Sequence, residues 1–236
     1  TLDRSSAASD VYKRQYVPCD SAALAVGADE VAAAIVTEAG RRGQDVGIVR
    51  NGSRGLFWLE PLVEVATPAG RVAYGPVAPG DVPALFDAGL TEGGAHPLRQ
   101  GVTEQIPFLA LQERLTFRRM GVTDPLSLAD YEAHEGWAGL RRAVAMAPEQ
   151  IVQEVTHSGL RGRGGAAFPA GIKWKTVAVA PAAQKYVVCN ADEGDSGTYS
   201  DRMTMEGDPF MLIEGMAIAG LAVGATMGYI YIRSEY

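Results

Sequence analysis

The sequence predicts an α/β protein built in two parts. Three observations predict it. From Tyr16 onward, short apolar strands alternate with stretches of helical spacing; a glycine-rich segment, Ser158–Trp174, interrupts the middle of the chain; and a strand, an apolar helix and a second strand follow it. At 236 residues the chain has the length of one large domain or two ordinary ones, and 47% hydrophobic with 21% charged residues is the balance of a soluble protein with a core.

In the first part, a strand at Tyr16–Pro18 precedes a helix at Asp29–Arg42, whose Val31, Ala34, Ile35 and Glu38 fall at helical spacing. Gly43 closes that helix. Strand Val46–Arg50, the turn Asn51-Gly52 and a hairpin (Leu62–Thr67 and Arg71–Tyr74 around Pro68-Ala69-Gly70) follow, then a helix at Val82–Ala88. The order β-α-β-β-β-α is that of a thioredoxin-like layer lacking an evident second helix. Cys19 has no C-x-x-C partner, which excludes dithiol chemistry and leaves a half-buried structural cysteine on a domain suited to docking.

Expected boundaries are a disordered or foreign tail at 1–15, the thioredoxin-like domain at 16–90, connecting helices and loops at 91–147, and a ligand domain at 148–236. Asp124-Pro125 and Ser127 start a helix through Tyr131, Arg141–Ala147 is another, and Pro148 opens Glu149–His157. Pro209–Thr226 is apolar, with Gly220 and Gly224 at the spacing of a small-residue membrane face. Its shortness, Glu214 and the strand Tyr229–Ile232 just beyond it favour a helix packed on a sheet through its glycines.

Charge and cysteine usage narrow the function. A net charge of −7 with scattered lysines and arginines argues against a nucleic-acid surface and for small ligands or protein partners. The two cysteines, Cys19 and Cys189, exclude a disulfide framework, and neither they nor His96, His134 and His157 have metal-site spacing. Unpaired thiols and no apolar leader point to the cytoplasm, in a chain that begins with Thr1.

The segment Ser158-Gly159-Leu160-Arg161-Gly162-Arg163-Gly164-Gly165-Ala166-Ala167-Phe168-Pro169-Ala170-Gly171-Ile172-Lys173-Trp174 holds five glycines beside three cations. Bare backbone amides next to guanidinium groups form a phosphate cradle. Gly162-x-Gly164-x-x-Ala167 spells the dinucleotide fingerprint, but it follows a helix rather than a strand, and Pro169 and Gly171 are expected to interrupt any helix it opens. A nucleotide loop of another kind remains, against the plainer alternative of a solvated turn. Phe168 and Trp174 around Lys173 suit a stacked heteroaromatic ligand.

Strand Tyr186–Asn190 runs into Ala191-Asp192-Glu193-Gly194-Asp195-Ser196-Gly197-Thr198. Ligand groups gather at the carboxyl ends of such strands. Asn190 offers the donor and acceptor that a flavin edge needs, and Asp192 and Glu193 can take ribityl or ribose hydroxyls. A calcium loop and a solvated acidic turn are the alternatives, the first lacking EF-hand alternation.

Together, Ser158–Trp174 and Cys189–Gly197 closely resemble the NADH- and FMN-binding flavoprotein subunit of respiratory NADH dehydrogenase, NAD-linked bidirectional hydrogenases and NAD-dependent molybdenum formate dehydrogenases. The resemblance runs from about Tyr16 to Tyr236. Asp192–Thr198, Asp201-Arg202-Met203 and Glu206–Phe210 look most like the formate dehydrogenase beta subunit. It implies a Rossmann-like FMN/NADH-binding domain, incomplete at its C-terminal end, and a diaphorase role: hydride passes between NAD(H) and FMN, electrons pass to or from iron–sulfur clusters, and no protein acid or base takes part.

The family's FMN contacts carry over to Gly162, Arg163, Gly164, Lys173, Asn190 and Asp192, and its NADH contacts to Gly165, Ala166, Phe168, Lys173 and Glu193. Phe168 is then expected to stack on adenine and Glu193 to face the nicotinamide. Implied partners are iron–sulfur and molybdenum subunits, with no nucleic acid and no membrane insertion. The cysteines for a four-iron cluster and further flavin contacts belong to a later segment of the family, so the chain as given is expected to leave the flavin pocket incomplete. Ala167 and Ala170 depart from the family's usual glycine and threonine.

Overall fold

Where β-branched and aromatic residues alternate, the chain forms strands, and where apolar residues recur every three or four positions, it coils. The computed structural model describes residues 14–195 and 197–236, and the chain divides into two compact units at Ser127/Leu128. Both mix helix and sheet.

The first unit carries a five-stranded sheet of order β2-β1-β3-β4-β5, with β1 Arg14–Tyr16, β2 Gly47–Val49, β3 Val63–Thr67, β4 Gly70–Tyr74 and β5 Arg99–Val102. β1 and β2 are parallel, and the other neighbours are antiparallel. Between β1 and β2 lie α1 (Ser21–Leu24) and α2 (Ala28–Arg41); α3 (Val82–Asp87) follows β4. Asp20 starts α1 by accepting the Ala22 and Ala23 amides at 3.0 and 3.3 Å. α2 buries Val31, Ala32, Ile35 and Ala39 against Val63, Val65, Val72 and Leu85, and it ends before Gly43, which sits at φ 65°. Glu38 shares the buried side of α2 because Arg41 and Arg42 hold its carboxylate at 2.6–2.8 Å.

Two expectations for this region change. Arg14 and Gln15, assigned to the tail, belong to β1, where Gln15 is fully buried between β2 and β3. Strand pairing captured two polar residues that periodicity could not, while residues 1–13 lie outside the described set. The segment expected as a connector from residue 91 is divided. β5 pairs with β4 and α4 (Pro107–Ala110) buries Leu109 beside Leu56 and Leu62, so the first unit reaches Ser127.

A polar core fixes the far side of this sheet. Glu64, 1% exposed, takes Arg54 in a bidentate pair at 2.7 and 3.0 Å and Arg71 at 3.2 Å. Arg71 also donates to the Gly121 and Val122 carbonyls and lies over the Tyr16 ring at 3.3 Å. Nearby Glu60 accepts the Ser53 hydroxyl and Leu62 amide, both at 2.9 Å. Burial pushes its carboxyl up to about 7. A carboxyl whose folded value lies above its unfolded value contributes stability at low pH and loses it as pH rises through the folded value. The first unit is therefore expected to weaken between pH 4.5 and about 7, by up to about 3 kcal/mol. Melting curves from about pH 5 to about pH 8 test this, since Glu60→Gln should flatten that slope.

The second unit contains α5 (Leu128–Ala133), α6 (Ala138–Val144), α7 (Pro148–His157), α8 (Ala170–Val179), β6 (Tyr186–Ala191), α9 (Ser200–Gly207), α10 (Pro209–Val223) and β7 (Met227–Ile232). β6 and β7 pair in parallel from Tyr186↔Met227 to Ala191↔Ile232, so their carboxyl ends lie side by side. Ile151 and Val152 of α7, Ala143 of α6, and Ala222 and Val223 of α10 form the core, with Trp174 of α8 packed against it.

Three more expectations change. A helix does open after the glycine loop. Pro169 sits just before α8, where a missing N–H costs no helical bond, and Gly171 lies inside it. A Cβ on Gly171 would stand 2.7 Å from Thr156 Cα, so glycine there permits close approach of α8 to α7. Phe168 and Trp174 do not bracket Lys173 in one aromatic cradle. Neighbours on a helix point about 100° apart, and Trp174 turns to the core while Lys173 faces Phe168. α10 does not pack through its glycines either. A Cβ on Gly215 would meet nothing within 4 Å and one on Gly220 only the Ala225 carbonyl, and Ile218, Ala222 and Val223 make the contacts. Glu214 of α10 accepts the Tyr131 hydroxyl and the Trp137 and Leu140 amides, so this buried carboxylate caps α6. Among the described residues, no helix is long and apolar enough to cross a membrane.

Candidate functional site

The glycine-rich loop leaves the end of α7 and is pinched at its base. Gly162 N–H donates to the Phe168 carbonyl at 2.9 Å, Ala170 N–H to Leu160 at 2.8 Å, and the Arg161 guanidinium to the Ala167 carbonyl at 3.0 Å. Closing the base projects residues 163–167 as a tip. Two of these have left-handed backbone, Gly165 at φ 96° and Ala167 at φ 52°. Glycine takes that geometry freely, whereas the Ala167 methyl costs on the order of 1 kcal/mol.

Opposite this tip, β6 ends and the acidic loop begins. Asn190 Oδ1 accepts the Asp192 amide at 3.2 Å, forming an Asx turn at the strand end. Glu193 is at φ 50° and Tyr199, just before α9, at φ 55°. Left-handed non-glycine residues persist only where their surroundings hold them, and they collect at ligand sites. The Glu193 carboxylate, 7% exposed, accepts the Asp201 and Arg202 amides at 2.9 and 3.2 Å, the Ser200 hydroxyl at 3.4 Å and the Tyr236 hydroxyl at 2.8 Å. Burial pushes this carboxyl up, but the four donors together hold it below the usual range. Asp201 beside it is raised, first by burial and then by the Glu193 charge.

Loop tip and acidic loop enclose a cleft of about 740 Å³. Of the sequence-predicted residues, Arg163, Gly164 and Gly165 line one wall and Asn190, Asp192 and Glu193 the other. Gly162, Ala166, Phe168 and Lys173 are not part of that lining. Gly162 belongs to the pinched base, and Lys173 Nζ stands 5.7 Å from the centre of the half-exposed Phe168 ring. A second hollow of about 530 Å³ adjoins across Asp192 and Gly194, lined by Tyr231–Glu235 at the carboxyl end of β7.

Sequence reasoning missed Ser200 and Asp201 on the cleft and Arg233 and Tyr236 behind it. Asp201 stands in a run already likened to a family, but its role and that of Ser200 as partners of Glu193 become visible only in the folded chain. Asp192, Glu193 and Asp195 do not converge: among the described residues, no group of three or more His, Cys, Asp or Glu is placed to hold a metal.

Two features fit a flat, phosphorylated cofactor. A Cβ built on Gly164 or Gly165 would meet no protein atom within 4 Å, so these backbones face open cleft. One wall is cationic and amide-rich, the other offers an amide side chain and carboxylates, which are the partners of phosphate, ring edge and hydroxyls respectively.

Fold and site together are those of an α/β domain with a cleft suited to a nucleotide cofactor. Residues 155–236 match the family profile described as the Nuo51 FMN-binding domain. The NADP-reducing hydrogenase subunit HndC of Solidesulfovibrio fructosivorans is 52% identical over 125 residues, 53% of this chain and 25% of that protein. A subunit of the NADH-quinone oxidoreductase of Rhizobium meliloti (strain 1021) is 49% identical over 52% of this chain and 30% of its own length. The NAD-reducing hydrogenase HoxS subunit alpha of Cupriavidus necator is 44% identical over 41% of this chain and 16% of that protein. Residues 155–236 match an FMN-binding domain, the chain is similar to NADH dehydrogenase and hydrogenase flavoprotein subunits, and the matched stretch spans 16–30% of the length of these relatives.

Proposed function

We propose that the chain is part of a diaphorase-type flavoprotein subunit that binds FMN and NAD(H) and exchanges electrons with iron–sulfur centres. The observation that carries this is the cleft. Its walls are the two motifs that suit a nucleotide cofactor, Arg163-Gly164-Gly165 and Asn190-Asp192-Glu193, and it lies inside the segment matched to an FMN-binding domain.

FMN, when bound, would supply the two-electron hydride and one-electron redox chemistry. The protein's part is binding and orientation. Arg163 and the Gly164 amide would hold the flavin phosphate, with Gly162 shaping the loop base beneath them and Lys173 adding charge; Asn190 would meet the ring edge and Asp192 the ribityl hydroxyls. Gly165 and Ala166 allow the nicotinamide nucleotide to approach, Phe168 lies against its adenine, and Glu193 faces its nicotinamide. Stacking two rings at reacting distance is worth several kcal/mol.

Among such subunits we favour that of an NAD-dependent formate dehydrogenase, with iron–sulfur and molybdenum subunits as partners, on the run Asp192–Thr198 and Glu206–Phe210. The names of the relatives favour a second reading, the corresponding subunit of an NAD-linked hydrogenase or NADH:quinone oxidoreductase. We assign the first unit as a thioredoxin-like docking domain. Its strand order β2-β1-β3-β4, with β1 parallel to β2 and antiparallel to β3, supports this, and no second cysteine accompanies Cys19. Unpaired Cys19 and Cys189 support a cytoplasmic location.

Lys173→Ala tests the cofactor assignment. Lys173 is exposed on the first turns of α8 and makes no core contact, so the variant should melt like the parent while losing flavin and NADH-dependent dye reduction. A single charge-assisted phosphate contact is worth roughly tenfold or more in affinity. Flavin content and dye reduction equal to the parent's would remove Lys173 from the site. A nucleotide-binding module without redox activity would instead bind NADH and leave the dye unreduced.

A further inference from the structure

Glu193 is gripped from three sides. Its own loop supplies the strained backbone, α9 supplies the Asp201 and Arg202 amides with the Ser200 hydroxyl, and the turn after β7 supplies the rest. In that turn the Tyr236 hydroxyl donates to Glu193 Oε2 at 2.8 Å, and Arg233 Nη1 donates to the Glu193 carbonyl at 3.3 Å. Glu235 takes the other face of Arg233 at 2.9 and 3.1 Å, which aims the remaining nitrogen at that carbonyl.

These contacts divide the work unequally. The Asp201 and Arg202 amides take one carboxylate oxygen each, which makes Glu193 a cap of α9 and ties it to that helix alone. Tyr236 comes from a different element and reaches Oε2, the oxygen that also accepts the Arg202 amide, so it ties the carboxylate to the turn beyond β7 as well as to α9. Left-handed backbone at Glu193 needs such bracing.

We propose that Tyr236 is a positioning residue: through its hydroxyl it holds Glu193 in the orientation that the cofactor meets, without touching the reacting atoms itself. This rests on the cofactor assignment of the cleft. The charged and titratable groups facing Glu193 are Asp201 and Arg202 on α9, Arg233 and Tyr236 beyond β7, and Asp192 in its own loop. Removing the tyrosine hydroxyl withdraws one of four donors from a buried carboxylate, which leaves burial less opposed.

Tyr236→Phe in the native protein, read in two independent ways, tests this. The first follows the Glu193 side-chain carboxyl by carbon NMR in apoprotein across acidic pH. Its titration should move upward in the variant, and an unmoved titration overturns the lock. The second is NAD+ affinity of the FMN-loaded protein, measured by calorimetry. It should weaken roughly tenfold and acquire a dependence on acidic pH that the parent lacks. A moved titration with unchanged affinity and pH profile makes the contact merely structural and overturns the positioning role. Should the parent itself fail to bind FMN, the cofactor assignment falls, while the apoprotein titration still decides whether Tyr236 holds Glu193.

Discussion

Gly164→Val is expected to abolish most flavin binding without disturbing the fold. Gly164 lines the cleft, is not in the left-handed region, and has no protein atom within 4 Å of where a Cβ would stand. The folded chain therefore has room for a branched side chain. A ligand pressed against that backbone does not. Overpacking a close contact costs about 1–3 kcal/mol, so FMN affinity should fall roughly tenfold to hundredfold. Thermal melting should be unchanged. The same substitution at Gly165 is a poorer probe, because φ 96° penalises valine in the free protein. Equal flavin affinity in parent and Gly164→Val would move the ligand away from this wall.

The largest stability effect is expected at Glu64. Its carboxylate is 1% exposed and Arg54 is 4% exposed, so neither charge has much water to fall back on. In Glu64→Ala, Arg71 keeps the Gly121 and Val122 carbonyls and the Tyr16 ring, but Arg54 keeps only Glu104 at 3.1 Å, itself largely exposed. A buried charge deprived of its partner costs about 3–5 kcal/mol, and urea unfolding of the first unit should lose that much. Replacing the pair together, Arg54→Met with Glu64→Leu, should recover most of it, since a packed apolar pair is often as stable as a buried ionic one. A loss below about 1 kcal/mol in the single variant would place the pair in the class of weak surface bridges.

Much of the architecture was legible because periodicity reports which face is buried. The α2 pattern around Val31 and Ile35, the hairpin about Pro68–Gly70 and the strands after the glycine loop follow directly. What escaped depended on contacts distant in sequence. Gln15 is polar and terminal-looking, yet pairing on both sides places it in the sheet. Gly171 reads as a helix breaker until Thr156 of α7 is seen lying against it. Trp174 reads as part of a ligand cradle, although one step along a helix carries it to the core.

The site was legible to the same degree. Both walls were visible as motifs, since bare backbone beside cations and polar groups after a strand have local signatures. Their meeting in one cleft, and the four donors on Glu193, depend on α9 and the turn beyond β7 folding back. Tyr236, 43 positions from Glu193, carries no such signature.

The central claim is that this cleft holds FMN for reduction by a nicotinamide nucleotide. Titrating the native apoprotein with FMN and then adding NADH without oxygen tests it most directly. Stoichiometric quenching of flavin fluorescence, followed by bleaching of the yellow colour on NADH addition, is the predicted result. Flavin that stays fluorescent at every protein concentration would contradict it.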